Sequence, residues 1–223
     1  DSYRLAADAT GGSVESMLTT LAGVNSNNEM SSQYSVRGGT YDENSVYING
    51  IEVYRPQLVS SGQQEGLSII NPDMVGSVGF STGGFGVEYG DKMSSALDIT
   101  YREPESFEGS VSGSLMGFSV SLGQSSGKFS QLHGVRYKRN SSLLSSLETK
   151  GEYDPDFFDY QTNITLKMGK KWKASFLGNI AVNNYKFIPV NRETNFGTSN
   201  DAKQFKVYFD GQEKDRFETY FGA

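Results

Sequence analysis

The residues best suited to chemistry in this chain are too few and too scattered to assemble a catalytic centre. His133 is the one histidine and there is no cysteine, so a zinc site has no thiolate and no second imidazole to draw on. Asp154, Asp156 and Asp159 crowd around Pro155, a density of carboxylate that suggests calcium. The spacing is not that of an EF-hand loop, however, and the glycine of such a loop is missing. Gly83–Gly90 is glycine-rich but lacks the lysine and the strand, loop and helix setting of a phosphate cradle. With no ordered Ser, His and Asp set and no carboxylate pair, the sequence predicts a protein that is not an enzyme and needs no cofactor or metal.

What the chain is built to position is a wall with two different faces. Phe158, Tyr160, Ile164, Leu166 and Met168 share one face, with Thr162 among them, while Asp159, Gln161, Asn163, Thr165 and Lys167 share the other. After a polar turn at Gly169–Lys171 the pattern repeats. Ala174, Phe176, Gly178, Ile180 and Val182 stand against Lys173, Ser175, Asn179 and Asn183. A period of two with one apolar side marks a β-strand. Paired strands of roughly ten residues suit a transmembrane barrel that faces lipid outside and water inside. A soluble β-sandwich produces the same alternation and stays open at this point.

Composition narrows the class. A chain of 223 residues makes one large or two modest domains. Its mean hydropathy is −0.48, and no stretch approaches the roughly 20 apolar residues of a membrane-spanning helix. That excludes a helical membrane protein but not a barrel, whose lumen residues dilute every strand. The net charge of −6 comes without a basic stripe, so nucleic acid is not an expected partner. Asp1–Ala7 has no apolar signal core, which reads as a mature or internal segment. Asp215–Ala223 ends in an aromatic strand without a closing turn, and the chain is expected to continue beyond it.

Local signals divide the chain in two, residues 1–103 and 104–223, at the charged break Arg102–Glu105. The first part opens on a short helix, with Val14, Met17, Leu18 and Leu21 as its buried stripe, Ser13 as N-cap, Glu15 in the first turn and Gly23 after it. Short strands follow. One runs over 33–37, a hairpin turns at Asn49-Gly50, Asn71-Pro72-Asp73 starts a brief helical turn, and strands lie near 75–81 and 96–101. Ser60–Gly66 reads as an exposed loop. The second part holds five to six longer strands. Their phase flips at Met116-Gly117, marking a tight turn or bulge, and Leu132 falls on the polar side of the run 129–138. Short turns at 125–128 and 169–171 share one edge of this wall, and longer connections near 140–156 and 188–215 share the other. Trp172, beside Lys170 and Lys171, is placed in an interfacial girdle.

Four pieces of the first part, in order, resemble the plug domain of TonB-dependent outer-membrane receptors, especially those of the Bacteroidetes: Gln33–Gly39 (QYSVRGG), Tyr47–Val53 (YINGIEV), Asn71–Phe80 (NPDMVGSVGF) and Phe85–Ile99 (FGVEYGDKMSSALDI). Met93–Leu97 departs from the family's usual ending, and Asn49 stands where many members carry Asp. The resemblance implies an α+β plug domain followed by antiparallel strands of a transmembrane β-barrel, partial here and 22-stranded when complete. It also implies residence in the outer membrane of a Gram-negative bacterium, contact with its lipid, and energy delivered by TonB with its inner-membrane complex. A surface lipoprotein or another outer-membrane subunit is a further partner of such receptors. Arg37, in the Arg-Gly motif, is implied to lock the plug to wall carboxylates.

The expected function is import of a nutrient or metal chelate, with the plug as gate. The alternative is a non-transporting structural subunit of an outer-membrane complex, and a third reading is a soluble two-domain binding protein. No TonB box is visible before Ser13. Ligand-contact candidates are the polar and aromatic residues near the plug's apex: Tyr54, Arg55, Gln57, Gln63, Gln64 and Glu65.

Overall fold

Ser13 caps the first element. Its hydroxyl accepts from Ser16 N at 3.0 Å while the Ser16 hydroxyl accepts from Ser13 N at 3.3 Å, a reciprocal capping box. The computed structural model describes residues 13–26, 32–54, 56, 68–90, 92–114, 117–139, 151–153, 156–169, 171–189, 192–196, 203–207 and 213–223. Helix α1 covers only Val14–Leu18. The Thr19 and Thr20 hydroxyls donate to Ser16 O and Met17 O at 2.8 and 2.7 Å, offering the backbone an alternative to further helix. Leu21 consequently lies outside the expected stripe and is exposed, and Glu15 is buried beside Val14 and Leu18.

Strands β1 (Val24–Asn25) and β2 (Ser35–Val36) form a small antiparallel pair. Next come β3 (Asn44–Ile48), β4 (Ile51–Glu52), β5 (Val75–Ser81) and β6 (Ser95–Tyr101), which assemble in the order β4-β3-β6-β5 with β3 and β6 parallel. The hairpin between β3 and β4 turns on Asn49 and Gly50, with φ of +53° and +77°, the left-handed pair that an Asn-Gly turn supplies. Asn71 opens the 3-10 turn Pro72–Met74 by accepting from Asp73 N at 3.0 Å. Both features follow the sequence.

The wall consists of β7 (Glu108–Ser114), β8 (Gly117–Ser126), β9 (Phe129–Arg139), β10 (Gly151–Tyr153), β11 (Asp156–Met168) and β12 (Trp172–Pro189). Beyond them β13 (Arg192–Phe196) and β14 (Lys203–Val207) make a separate hairpin, and β15 (Glu213–Gly222) returns to pair with β12. Neighbours are antiparallel along β7-β8-β9-β11-β12, with β10 and β15 on the far edge of β12. β7 and β8 pair as antiparallel neighbours up to Ser114 opposite Gly117, which fits the turn read from the phase flip. Among the described residues six longer strands and the short β10 form one open sheet, with no closed barrel.

The two faces of the wall differ as the alternation requires. Phe158, Phe176 and Ile180 are 42%, 49% and 44% exposed, while Asp159, Gln161 and Asn179 on the opposite face are 0%, 2% and 4% exposed. The polar face is covered by the N-terminal module. Leu132, Phe157, Leu177 and Ala181 also point that way and share one apolar cluster with Ile70, Met74, Leu97 and Ile99 of the module. The odd phase of Leu132 has its cause there: it is wall surface specialised for contact with the module.

Candidate functional site at the module and wall interface

The centre of the interface is a charge pair fixed by strand register. Arg136 on β9 stands opposite Asp159 on β11, and both point to the covered face. The guanidinium grips the carboxylate at two points, Nε to Oδ1 at 2.8 Å and Nη2 to Oδ2 at 2.7 Å. Its remaining reach goes to the module. Nη1 donates to Ile70 O at 2.8 Å and Nη2 to Ser68 O at 2.9 Å, with Ile69 O at 3.5 Å. One arginine of the wall therefore holds three successive carbonyls of the module, which an arginine's planar fork can do and a lysine's point charge cannot.

Asp159 is saturated by neighbours on the same face. Gln161 Nε2 donates to its Oδ2 at 2.7 Å and Asn179 Nδ2 to the same oxygen at 3.2 Å. Gln161 Nε2 also donates to Ile69 O, and its Oε1 accepts from the Tyr101 hydroxyl at 2.7 Å. Such a pair is stable when buried because the guanidinium and both carboxylate oxygens find hydrogen-bond partners besides each other's charge.

Three further contacts surround this centre. Asn49 Nδ2 donates to Asn163 Oδ1 at 3.2 Å, while Asn49 Oδ1 accepts from Tyr101 N at 2.8 Å. The amide works in both directions, a property an aspartate at this position would lack. The Ser119 hydroxyl on β8 donates to Asp73 of the 3-10 turn. Glu103, in the link between module and wall, pairs with Lys173 and, at 3.5 Å, with Lys167. These two lysines face each other in the β11–β12 register, so one carboxylate offsets a like-charge pair. The hydrogen bond from Lys173 holds the Glu103 carboxyl below its ordinary range.

At Gly134 the backbone of the wall has no room for a side chain against the module. A Cβ there would lie 2.4 Å from Asn71 Nδ2 and 2.8 Å from Met74 Sδ. The bare backbone of β9 lets the 3-10 turn seat itself.

The other residues singled out by the sequence are not brought to this site. Arg37 is exposed in the turn after β2 with φ +50°, and among the described residues no ion pair joins it to a wall carboxylate. Tyr54 is 83% exposed. Arg55, Gln57, Gln63, Gln64 and Glu65 lie outside the described residues, as does the Ser60–Gly66 loop. Trp172 is 74% exposed at the edge of the tight turns, next to exposed Lys171; Lys170 lies outside the described residues. His133 stays on the outer face, its Nδ1 2.9 Å from the Tyr160 hydroxyl and the two rings stacked. Asp156 and Asp159 fall on opposite faces of β11, and Asp154 lies outside the described residues.

Sequence reasoning missed the Arg136–Asp159 centre. The available signal was a pair of opposite charges, Arg136 and Asp159, each within the body of an alternating strand on the face opposite its aromatic residues. A comparison with curated proteins finds no match. Residues 5–96, however, match the model of the TonB-dependent Receptor Plug Domain family, and the module seated on the wall is built from the described part of that segment and the residues just after it.

Proposed function

We propose that the chain belongs to an outer-membrane receptor that imports a nutrient or metal chelate, with the plug as gate, the wall as part of a closed barrel, and TonB as the source of energy. The observation that carries this reading is the inversion of the wall: apolar side chains such as Phe158 and Phe176 face outward, and polar ones are buried beneath the plug. A soluble β-sandwich buries its apolar face instead. Membrane location is further supported by Phe129, Met168 and Trp172, which gather at the tight-turn edge as an aromatic and apolar rim. A plug seated by hydrogen bonds and ion pairs suits a gate, since polar contacts can exchange with water when the plug moves, whereas an all-apolar seat could not. The Bacteroidetes-type assignment is carried by the order of the four plug motifs. Recognition is assigned to Tyr54 with Arg55, Gln57, Gln63, Gln64 and Glu65, the exposed side chain of Tyr54 being its structural support.

The test is uptake by whole cells carrying the full receptor, with and without TonB. Growth or accumulation of label that requires both proteins is the expected result. An assembled receptor that supports no uptake of any candidate nutrient, yet is required for the integrity of an outer-membrane complex, would establish the structural-subunit reading in its place.

A further inference from the structure

The outward face of the wall is mostly apolar, but one chain of polar side chains crosses three of its strands. The Tyr160 hydroxyl on β11 lies 2.9 Å from His133 Nδ1 on β9, His133 Nε2 lies 3.4 Å from Gln131 Oε1, and Gln131 Nε2 donates to Gln124 Oε1 on β8 at 3.3 Å. An imidazole that donates from Nε2 to Gln131 accepts at Nδ1 from the phenol, so every link runs the same way. The chain ends on the Gln124 amide, whose two N–H groups have no acceptor among the described residues. Gln131 and His133 lie two and four residues along β9 from Phe129, on the rim at the tight-turn edge. At roughly 3.3 Å per residue and a tilt of about 40°, they sit about 5 and 10 Å inside that rim. Both depths fall within the hydrocarbon, where acyl chains offer no acceptor.

We propose that this patch is a docking surface within the membrane for a second copy of the same receptor, joined across a two-fold axis at Gln124, a role that rests on the reading of this face as lipid-exposed. The amide itself selects the occupant. A primary amide carries donors and an acceptor together, and Gln124 Oε1 takes one hydrogen bond from Gln131 and keeps a second lone pair. Two such amides brought face to face pair reciprocally, Nε2 of each with Oε1 of the other. An isologous contact therefore needs no group that this chain lacks, whereas a partner of different sequence must bring its own acceptor to the same depth. The ground beside Gln124 suits a second wall. Leu122 and Phe118 on β8 and Val111 on β7 are 49%, 50% and 79% exposed. Gly109 and Gly113, opposite Leu122 and Phe118, hold no side chain that would keep a partner away. Small residues with polar links are the means by which membrane-embedded surfaces prefer protein to lipid.

Crosslinking of the full receptor in intact outer membranes tests this. Leu122→Cys, made in a receptor with no other cysteine and treated with a short bismaleimide, should give a band of twice the receptor's mass. Tyr220→Cys, on the same face but four strand spacings or about 19 Å away, should not. Adding Gln124→Leu or Gln131→Leu to Leu122→Cys should lower the yield by about tenfold or more. The barrel should keep its heat-modifiable migration, because leucine at either position suits a lipid-facing site. Four results overturn the docking surface: no crosslink at Leu122→Cys, equal yields from the two cysteines, a yield that survives both glutamine variants, or a product that contains a different protein. Should both glutamine variants fail to assemble, the comparison of the two cysteines alone decides. Receptor that stays in the membrane fraction without crosslinking sinks the docking surface only, whereas receptor recovered in the soluble fraction sinks the lipid-facing wall beneath it.

Discussion

Arg136 and Asp159 are directly paired across β9 and β11, and the guanidinium that binds the carboxylate at 2.7 and 2.8 Å reaches on to the backbone of residues 68–70. Strand pairing and plug seating are thus one interaction.

Removing one partner should cost more than removing both. Asp159→Asn or Arg136→Ala leaves a buried group of the network unpaired, a loss of about 3–5 kcal/mol. Replacing both with leucine should cost less than either single change. A double-mutant cycle on plug release, read by denaturant titration of the folded receptor, checks the sign of the coupling.

Gly134→Ala places a methyl group 2.4 Å from Asn71 Nδ2 and 2.8 Å from Met74 Sδ. The turn must back away, and overpacking of this kind costs about 1–3 kcal/mol. Faster proteolysis of the plug with an unchanged barrel signature is the expected outcome. Equal protease resistance in mutant and wild type would mean that the seat yields freely.

Asn49→Asp keeps the shape and the tolerance for φ +53°, and keeps the acceptor for Tyr101 N. It loses the donor to Asn163. The turn should persist while plug docking weakens by about 1 kcal/mol, which separates local folding from contact with the wall.

Glu103 gives the contact between link and wall a pH dependence. Its carboxyl is held low by Lys173, so its stabilising contribution is present above the ordinary carboxylate value and is lost as pH falls through the lowered one. Glu103→Gln should remove that acid-side loss in plug-release measurements, and salt should diminish the effect because the pair is partly exposed.

Arg37 remains a proposed lock whose partner would lie elsewhere on the barrel wall. Arg37→Ala in the full receptor should raise passive leakage of small solutes. Liposome swelling rates identical to wild type would remove the assignment.

The strands were legible where the information is local. Phe158 to Met168 and Ala174 to Val182 carry their faces in a period of two, Asn49-Gly50 carries its turn, and Asn71-Pro72-Asp73 carries its cap. The seat was not legible, because Arg136 meets Asp159 through a register set across a long connection, and meets residues 68–70 through a docking that no sequence window contains. Leu132 looked misplaced for the same reason: it violates a local pattern to satisfy a distant partner. The early end of α1 had a local cause, two threonines whose hydroxyls compete for its last carbonyls.

Strand β12 has 18 residues, about 60 Å of extended chain at roughly 3.3 Å per residue. Tilted by about 40° in a barrel, it still rises some 45 Å, well past a hydrocarbon layer of about 30 Å. In the barrel proposed above, with the tight-turn edge at one lipid boundary, its far third would stand clear of the bilayer as a parapet, with β10 paired to its last residues. A nutrient arriving from that side would meet this rim before the module beneath it.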